Sequence, residues 1–259
     1  MKPVIHTLWI GSKLSIVEQT CLASFVHHGH DVKLYSYGDV GNVPDGVSLI
    51  DANTVVSSSE IYTYPNGSYA AFADLFRWEV LRQKGGCWVD TDVICLKPFD
   101  FEDQHIFGWQ DSSVINIAVS GLPKGSEHAS ILAEMCRHPN EIQPFDKIGH
   151  KLLKSYRRYF RGDRPGNIGW GEGGGVKGFT KYAKHTQLDK YAHNFLAFYP
   201  IHAKCWKAFV DGSIRMDSSI LKDSYAVHLW NENLRKMGLN KNTQLPDGSF
   251  IKQAADHYL

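Results

Sequence analysis

The segment from Ser68 to Asp92 constrains the fold more than any other part of the chain. Ala71, Phe72, Leu75, Phe76, Val80 and Leu81 recur at helical spacing, which predicts a helix over Ser68–Gln83 with one face in a core. Gly85-Gly86 ends it. Cys87-Trp88-Val89 then reads as a short strand, and Val93–Leu96 resumes extended until Lys97-Pro98 closes it. A helix turned by two glycines straight into a strand belongs to an α/β layer structure, and it leaves Asp90-Thr91-Asp92 at the strand's carboxyl end.

The flanking sequence extends this pattern. Val4–Ile10 is apolar and β-branched, a buried strand ended by Gly11; Ser15–His28 has helical spacing and stops at Gly29; Val32–Tyr37 and Val47–Ile50 are further strands. Strand, helix, strand in this order begins a parallel, doubly wound sheet. Ile106–Trp109, Val114–Val119, Leu196–Tyr199 and Tyr225–Trp230 read as later strands, and Ala129–Cys136, Phe145–Phe160 and Val176–Lys184 as helices. The 259 residues suit one α/β domain, spanning 1–259, in which roughly 120–195 forms a small, mainly helical subdomain beside the sheet.

A net charge of +1 excludes the strong basic excess of a nucleic-acid binder. One stretch, Lys151 to Arg161, is basic and laced with aromatics. It reads as a solvated helix face, or else as contact with an anionic acceptor or a membrane surface. The five cysteines are odd in number and show no C-x-x-C spacing, which points to reduced thiols and a cytoplasmic protein. The N-terminus has no signal-peptide pattern and no stretch has the length of a transmembrane helix.

Asp90 and Asp92 project toward one side at a strand end. Neighbouring like charges need a cation or a proton between them, and hard divalent ions take such oxygen ligands while leaving room for a diphosphate. Ligands of open α/β sheets bind beyond the carboxyl ends of strands. The triplet alone also fits a solvated turn. Asp74 and Arg77, at i and i+3 on the preceding helix, share a face. They form either a surface ion pair or, given apolar Ala71, Leu75, Phe76 and Trp78, a partly buried pair at the ligand edge, where Asp74 can accept from sugar hydroxyls and Arg77 can either orient Asp74 or donate to the sugar.

Taken together, Ala70-Ala-Phe-Ala-Asp74-Leu-Phe-Arg77 through Gly85-Gly86-Cys-Trp-Val-Asp90-Thr-Asp92-Val resembles the signature of DXD-containing glycosyltransferases. That group includes the yeast initiating mannosyltransferase, bacterial capsular and O-antigen sugar transferases and, more remotely, the large clostridial glucosylating toxins. The resemblance implies a GT-A fold, Mn²⁺ or Mg²⁺, a nucleotide-sugar donor and retention of anomeric configuration. Ile5-His-Thr-Leu-Trp9-Ile-Gly11 is similar to the family's opening I-H-x-x-W-x-G, which implies that Trp9 stacks on or beside the nucleobase; the plain alternative is a core Trp. Tyr225-Ala-Val-His228-Leu-Trp230-Asn-Glu-Asn233-Leu resembles H-x-W-x-x-S-W, which implies His228 as a metal ligand or diphosphate contact. Asn233-Leu234 replaces the family's Ser-Trp, although Asn231 or Asn233 can still donate to phosphate. Val114-Ile-Asn116-Ile-Ala-Val is similar to the segment carrying a donor-sugar Asn. Gly174–Thr180 stands where relatives have T-G-P-x-x-x-T; only a tight backbone approach carries over. Trp170–Gly173 reads as an acceptor-side or plain surface loop.

By this resemblance Asp92 is the main metal ligand, and Asp90 acts through water or on ribose and sugar. Trp9, Asp74, Arg77, Asn116, Asp90, Trp230 and Asn233 form the donor site. The metal offsets charge on the leaving nucleoside diphosphate, and the acceptor attacks from the same face, its proton taken by the departing phosphate oxygen. The implied partners are a donor, most frequently a UDP-sugar of a hexose or N-acetylhexosamine, and a glycan or lipid-linked glycan acceptor in polysaccharide or O-antigen synthesis, with the protein cytoplasmic or at the inner membrane face. Two alternatives stand beside this: a protein-modifying toxin or effector of the same fold, and a non-catalytic sugar-binding relative. Two other clusters are set aside. His27-His28-Gly-His30 lies at a helix C-terminus, and Cys136 and His138 have no partners at zinc spacing.

Overall fold

The structure is a computed structural model that describes residues 2–236, 238 and 245–259. Among them, strands β1 (Ile5–Leu8), β2 (Val32–Ser36), β3 (Val47–Asp51), β4 (Cys87–Val89), β6 (Ile106–Trp109) and β7 (Ile115–Gly121) form one sheet in the order β3-β2-β1-β4-β7-β6. β1, β2, β3 and β4 pair in parallel, and β7 runs antiparallel to both of its neighbours. β1 and β4 are buried along their whole length, as parallel strands covered on both faces require. The α/β class, with a mostly parallel sheet and flanking helices, is the one the sequence implies.

Helix α1 (Ile16–His27) starts with a capping box: Glu18 accepts from the Ser15 backbone N–H at 2.9 Å. It ends where Gly29 adopts φ 77°, with Gly29 N–H on the Val26 carbonyl and His30 N–H on the Phe25 carbonyl, a Schellman closure. Helix α2 (Ala70–Lys84) buries Phe72, Leu75, Phe76, Trp78, Val80 and Leu81, and helix α3 (Glu127–Arg137) packs beside it. The Gly85-Gly86 turn needs glycine twice over. Both residues have positive φ, and a Cβ on Gly86 would stand 2.7 Å from the Val4 carbonyl oxygen. The tight turn seats β4 beside β1.

A second sheet, absent from the expectation, pairs β5 (Val93–Cys95) antiparallel with β8 (Ala226–His228). Helix α4 (Ile148–Phe160) lies on the outside, and α5 (Val176–Thr186) packs on β7, where the Thr180 hydroxyl donates to the Ile115 carbonyl. Short α6 (Asn231–Lys236) follows β8, and α7 (Phe250–Tyr258) packs against α1.

One strand expectation is corrected. Leu196–Tyr199 does not pair; Phe195–Ala197 forms a 3-10 turn started by the Asn194 side chain, which accepts from Leu196 N–H at 3.0 Å. Phe198 and Tyr199 are buried outside any ladder, with the Tyr199 hydroxyl accepting from Val119 N–H at 3.2 Å, and a short apolar run does not distinguish that from a strand. No helix among the described residues is long and apolar enough to cross a membrane.

Candidate active site

β1 and β4 are neighbours running the same way, so Trp9 and Asp90 leave the sheet at the same edge. β7, antiparallel to β4, starts at that edge and runs away from it, and Asp90 N–H donates to the Ala118 carbonyl at 2.8 Å. Asn116, two residues nearer the start of β7, therefore belongs to the same end of the sheet. The second sheet sets the last member: its register places Val93 opposite His228, one residue from Asp92.

Asp90, Asp92 and His228 offer ligand atoms that all lie within 4.8 Å of one another. Nε2 of His228 lies 3.1 Å from Asp92 Oδ2, which also accepts the Asn231 backbone N–H at 2.8 Å. The N–H of Leu229 donates to the Asp92 carbonyl at 2.9 Å. Trp230 completes this turn with φ 57°, a left-handed conformation rare for a bulky residue; its ring lies 4.2 Å from that of His228, and its Nε1 donates to the Ile201 carbonyl. Burial works against charge on Asp92, but His228 and the Asn231 N–H together hold its carboxyl below the ordinary value. Burial also works against charge on His228, and Asp92 raises its imidazole above the ordinary value.

Arg77 bridges the other carboxylates. Its Nη1 donates to Asp74 Oδ1 at 2.6 Å and its Nη2 to Asp90 Oδ1 at 2.7 Å, with the guanidinium side chain 4% exposed. The pair at i and i+3 is thus buried, not superficial. Trp88 Nε1 donates to the same Asp90 oxygen at 2.7 Å, and the Arg77 guanidinium lies over the Trp88 ring at 5.1 Å. Asp90 Oδ1 is therefore fully engaged, which leaves Oδ2 as the oxygen available to a ligand. Asp74 accepts only from Arg77 among the described side-chain contacts. Its carboxyl is pushed up to about 6 by burial, with Arg77 opposing and Asp90 adding to the rise.

The Gly171–Gly175 turn closes over Asp74. A Cβ on Gly175 would stand 2.7 Å from Asp74 Oδ2 and 2.8 Å from the Gly171 Cα, so the close backbone approach expected at Gly174–Thr180 is present and faces the carboxylate. Gly174 packs as tightly on the Cys136–Trp78 side, where Trp78 Nε1 donates to its carbonyl at 2.8 Å. Tyr64, which the sequence does not single out, holds the turn: its hydroxyl accepts from Gly171 N–H at 3.2 Å. Burial, then Asp74, pushes the Tyr64 hydroxyl up to about 12. No signal in the sequence connects Tyr64 to a turn more than a hundred residues away.

Trp9 is half-buried against the β1–β4 core, with its Nε1 lacking a partner and resting against Gly11. Asn116 turns its amide inward: Nδ2 donates to Gln110 at 2.7 Å and Oδ1 accepts from Ala118 N–H. Asn233 Nδ2 reaches the Ala203 carbonyl at 3.4 Å, so its amide is directed at the protein's own backbone. Asn231, by contrast, contacts Asp92 through its backbone and Glu18 through its side chain at 3.2 Å. All five cysteines are free, four of them buried; the His27 ring packs on His257 and Tyr258 and the His28 ring on Tyr258, while His30 packs on Phe25 and Phe99.

The two carboxylates and imidazole suit a divalent cation that takes oxygen and nitrogen ligands. Three donor atoms within 4.8 Å of one another are spaced as ligands of one ion, and among the described residues the side-chain hydrogen bonds to Asp90 fall on Oδ1. Two family profiles match the chain. Residues 12–111 match the glycosyltransferase sugar-binding region containing the DXD motif, and residues 179–257 match the alpha 1,4-glycosyltransferase conserved region. No curated protein matches the sequence. Among solved structures, one titled PaToxG glycosyltransferase aligns over 73% of this chain and 77% of its own, at 15% identity and a TM-score of 0.40.

Proposed function

We propose, from the two matching family profiles, that the chain is a DXD-containing glycosyltransferase, and more specifically a metal-dependent, retaining hexosyltransferase acting on a nucleotide-sugar. The observation that carries this reading is the convergence of Asp90, Asp92 and His228 beside the buried Asp74–Arg77–Asp90 bridge at one sheet edge. Asp92, Asp90 and His228 would hold Mn²⁺ or Mg²⁺, and the imidazole favours Mn²⁺. A bound cation supplies charge compensation for the departing nucleoside diphosphate.

The chain's own residues do the rest. Asp74, held by Arg77 and open to one further donor, accepts from hydroxyls of the donor sugar. Arg77 fixes both Asp74 and Asp90 and so ties the sugar side of the pocket to the diphosphate side. Trp9 stacks on or beside the base, and Trp230 with its left-handed turn shapes the diphosphate end. Asn116 and Asn233 are engaged within the protein and reach a donor only by exchanging those bonds. The donor is a UDP-sugar of a hexose or N-acetylhexosamine, and the acceptor a glycan, free or lipid-linked, in bacterial polysaccharide or O-antigen synthesis. Residues 120–195, with α3, α4 and the Gly171–Gly175 turn, form the acceptor side of the single domain. The free cysteines fit a reducing, cytoplasmic setting.

A panel of nucleotide sugars tests this directly. Hydrolysis of one donor should require Mn²⁺, and Asp92→Asn should lower the rate by about 100-fold or more with its melting temperature retained. Metal-dependent hydrolysis unchanged in Asp92→Asn would overturn the assignment.

A further inference from the structure

Helix α4 is amphipathic in the wrong sense for a helix on a soluble core. Its polar side points inward. Lys154 is buried and donates to Asp146 at 2.6 Å and to the Glu141 carbonyl at 2.9 Å; Arg157 pairs with Glu172 at 2.5 Å; His150 Nδ1 lies 2.9 Å from Lys181 Nζ. These groups line a cavity of about 460 Å³ between α4 and α5. The apolar side faces out: Ile148 is 79% exposed, Leu152 67%, Tyr159 78% and Phe160 76%, with Leu153 and Tyr156 also exposed beside them. A core-facing helix does the reverse, and a contiguous apolar stripe of this kind marks a surface that is covered in use.

The rim of the stripe is cationic. Lys147, Arg158, Arg161 and Arg164 are exposed around it, and the Arg161 guanidinium lies 5.9 Å from the Tyr156 ring, over its face. Trp170, 65% exposed, stands two residues from Glu172, the partner of Arg157. Aliphatic and aromatic side chains within a basic border match the boundary between acyl chains and anionic headgroups. A second copy of the chain would match poorly, because a twofold contact through this stripe sets the same cations against one another.

We infer that α4 is a membrane-docking helix that lies in the interface of an anionic bilayer, with its apolar stripe toward the acyl chains and its exposed Lys and Arg at the headgroups. Docking in this way sets the Gly171–Gly175 turn, tied to α4 through Arg157 and Glu172, on the bilayer side of the molecule. If the proposed reading of the site holds, that is the side from which a lipid-linked acceptor arrives. The docking itself does not rest on that reading.

Cosedimentation with large unilamellar vesicles tests it. The full chain should pellet with phosphatidylcholine vesicles containing one third phosphatidylglycerol, release as salt is raised, and stay largely in solution with phosphatidylcholine alone. The double variant Leu152→Asn/Phe160→Asn should lose at least about tenfold in binding. Arg158→Gln/Arg161→Gln should lose about fivefold per cation removed. All four positions are exposed, so the melting temperature should be unchanged. The inference is overturned if the wild type stays in solution with the anionic vesicles, or if it pellets but the variants pellet equally. It is also overturned if sedimentation velocity without lipid shows a dimer that Leu152→Asn/Phe160→Asn converts to monomer, since a second copy then covers the stripe.

Discussion

Replacing Asp74 by Asn removes one negative charge and changes almost nothing in shape. The Asp74 carboxyl is pushed from 3.8 up to about 6, chiefly by burial. At about 1.4 kcal/mol per pKa unit, its charge costs the ligand-free fold about 3 kcal/mol at neutral pH. That value already includes the bond from Arg77; exchanging one carboxylate oxygen for an amide NH₂ in a buried site returns about 1 kcal/mol of it. Asp74→Asn should therefore stabilise the ligand-free protein by about 2 kcal/mol at pH 7, a rise of about 4–8 °C in melting temperature. The pH dependence gives the sharper check. A carboxyl whose folded value lies above its unfolded value favours the folded state fully only below about pH 4, and that contribution is lost as pH rises through about 6. The gap between variant and wild type should thus be widest at pH 7 and close toward pH 4. Donor hydrolysis should fall by about 10- to 100-fold in the same variant, the worth of a charge-assisted bond to a sugar hydroxyl. Paired thermal melts of metal-free protein at pH 7 and pH 4 measure the first effect and steady-state kinetics the second. An Asp74→Asn protein no more stable than wild type at pH 7, or a gap that does not narrow on acidification, would refute the argument that burial strains this carboxylate.

Three further substitutions probe the other parts of the site. Gly175→Ala places a methyl group 2.7 Å from Asp74 Oδ2; donor KM should rise about tenfold or more, as small displacements of positioning groups do, while circular dichroism shows a folded protein. His228→Ala should weaken Mn²⁺ binding at least about tenfold and narrow its advantage over Mg²⁺, because only oxygen ligands remain; titration followed by Mn²⁺ spin resonance reads both. Trp9→Ala should weaken nucleoside diphosphate binding by about 2- to 12-fold in calorimetry, with Trp9→Phe keeping most of the affinity, if the ring stacks on the base.

The carboxylate side of this site is legible because it is local. Asp74 and Arg77 are three residues apart on one helix, and the helix, the Gly85-Gly86 turn and β4 follow without interruption, so the Asp74–Arg77 pair reads from spacing, while the second bond, from Arg77 to Asp90, is seen only in the structure. Residues that arrive from a distance are less legible. His228 enters through the register of β5 against β8, two strands of three residues whose pairing no periodicity predicts. Tyr64 and Gly171 meet across the fold, and Trp88 bonds Asp90 through a side chain that pattern reading assigns only to the core. The inverted α4 shows a further limit: the basic, aromatic stretch is plain in the sequence, but which face turns inward depends on Asp146 and Glu172, which draw Lys154 and Arg157 toward the protein. The missed α7 has apolar Phe250, Ile251, Ala254 and Ala255 at helical spacing, too short a pattern to stand out without the α1 surface that it covers.

The small β5–β8 sheet has a role that its size conceals. Two three-residue strands are not stable alone, and here they are held by the apolar clusters on either side, with Val93, Cys95 and Ala226 in one and Ile94 and Val227 in the other. Alternation along the strands thus locks both faces, and a slip of one residue would exchange them. That lock is what fixes His228 beside Asp92 and lets the chain turn sharply enough at Trp230 to bring the Asn231 N–H back onto the same carboxylate. A left-handed Trp costs about 1–3 kcal/mol, and the structure sustains it through packing on both sides of the sheet and the Trp230–Ile201 hydrogen bond. The carboxylate–imidazole corner is therefore built from two cores at once: α2 and the large sheet position Asp74, Arg77 and Asp90, and the small sheet positions Asp92 and His228. Repacking either core should be felt at the site, and a change at Val93 or Val227 should loosen His228 while leaving the Arg77 bridge in place.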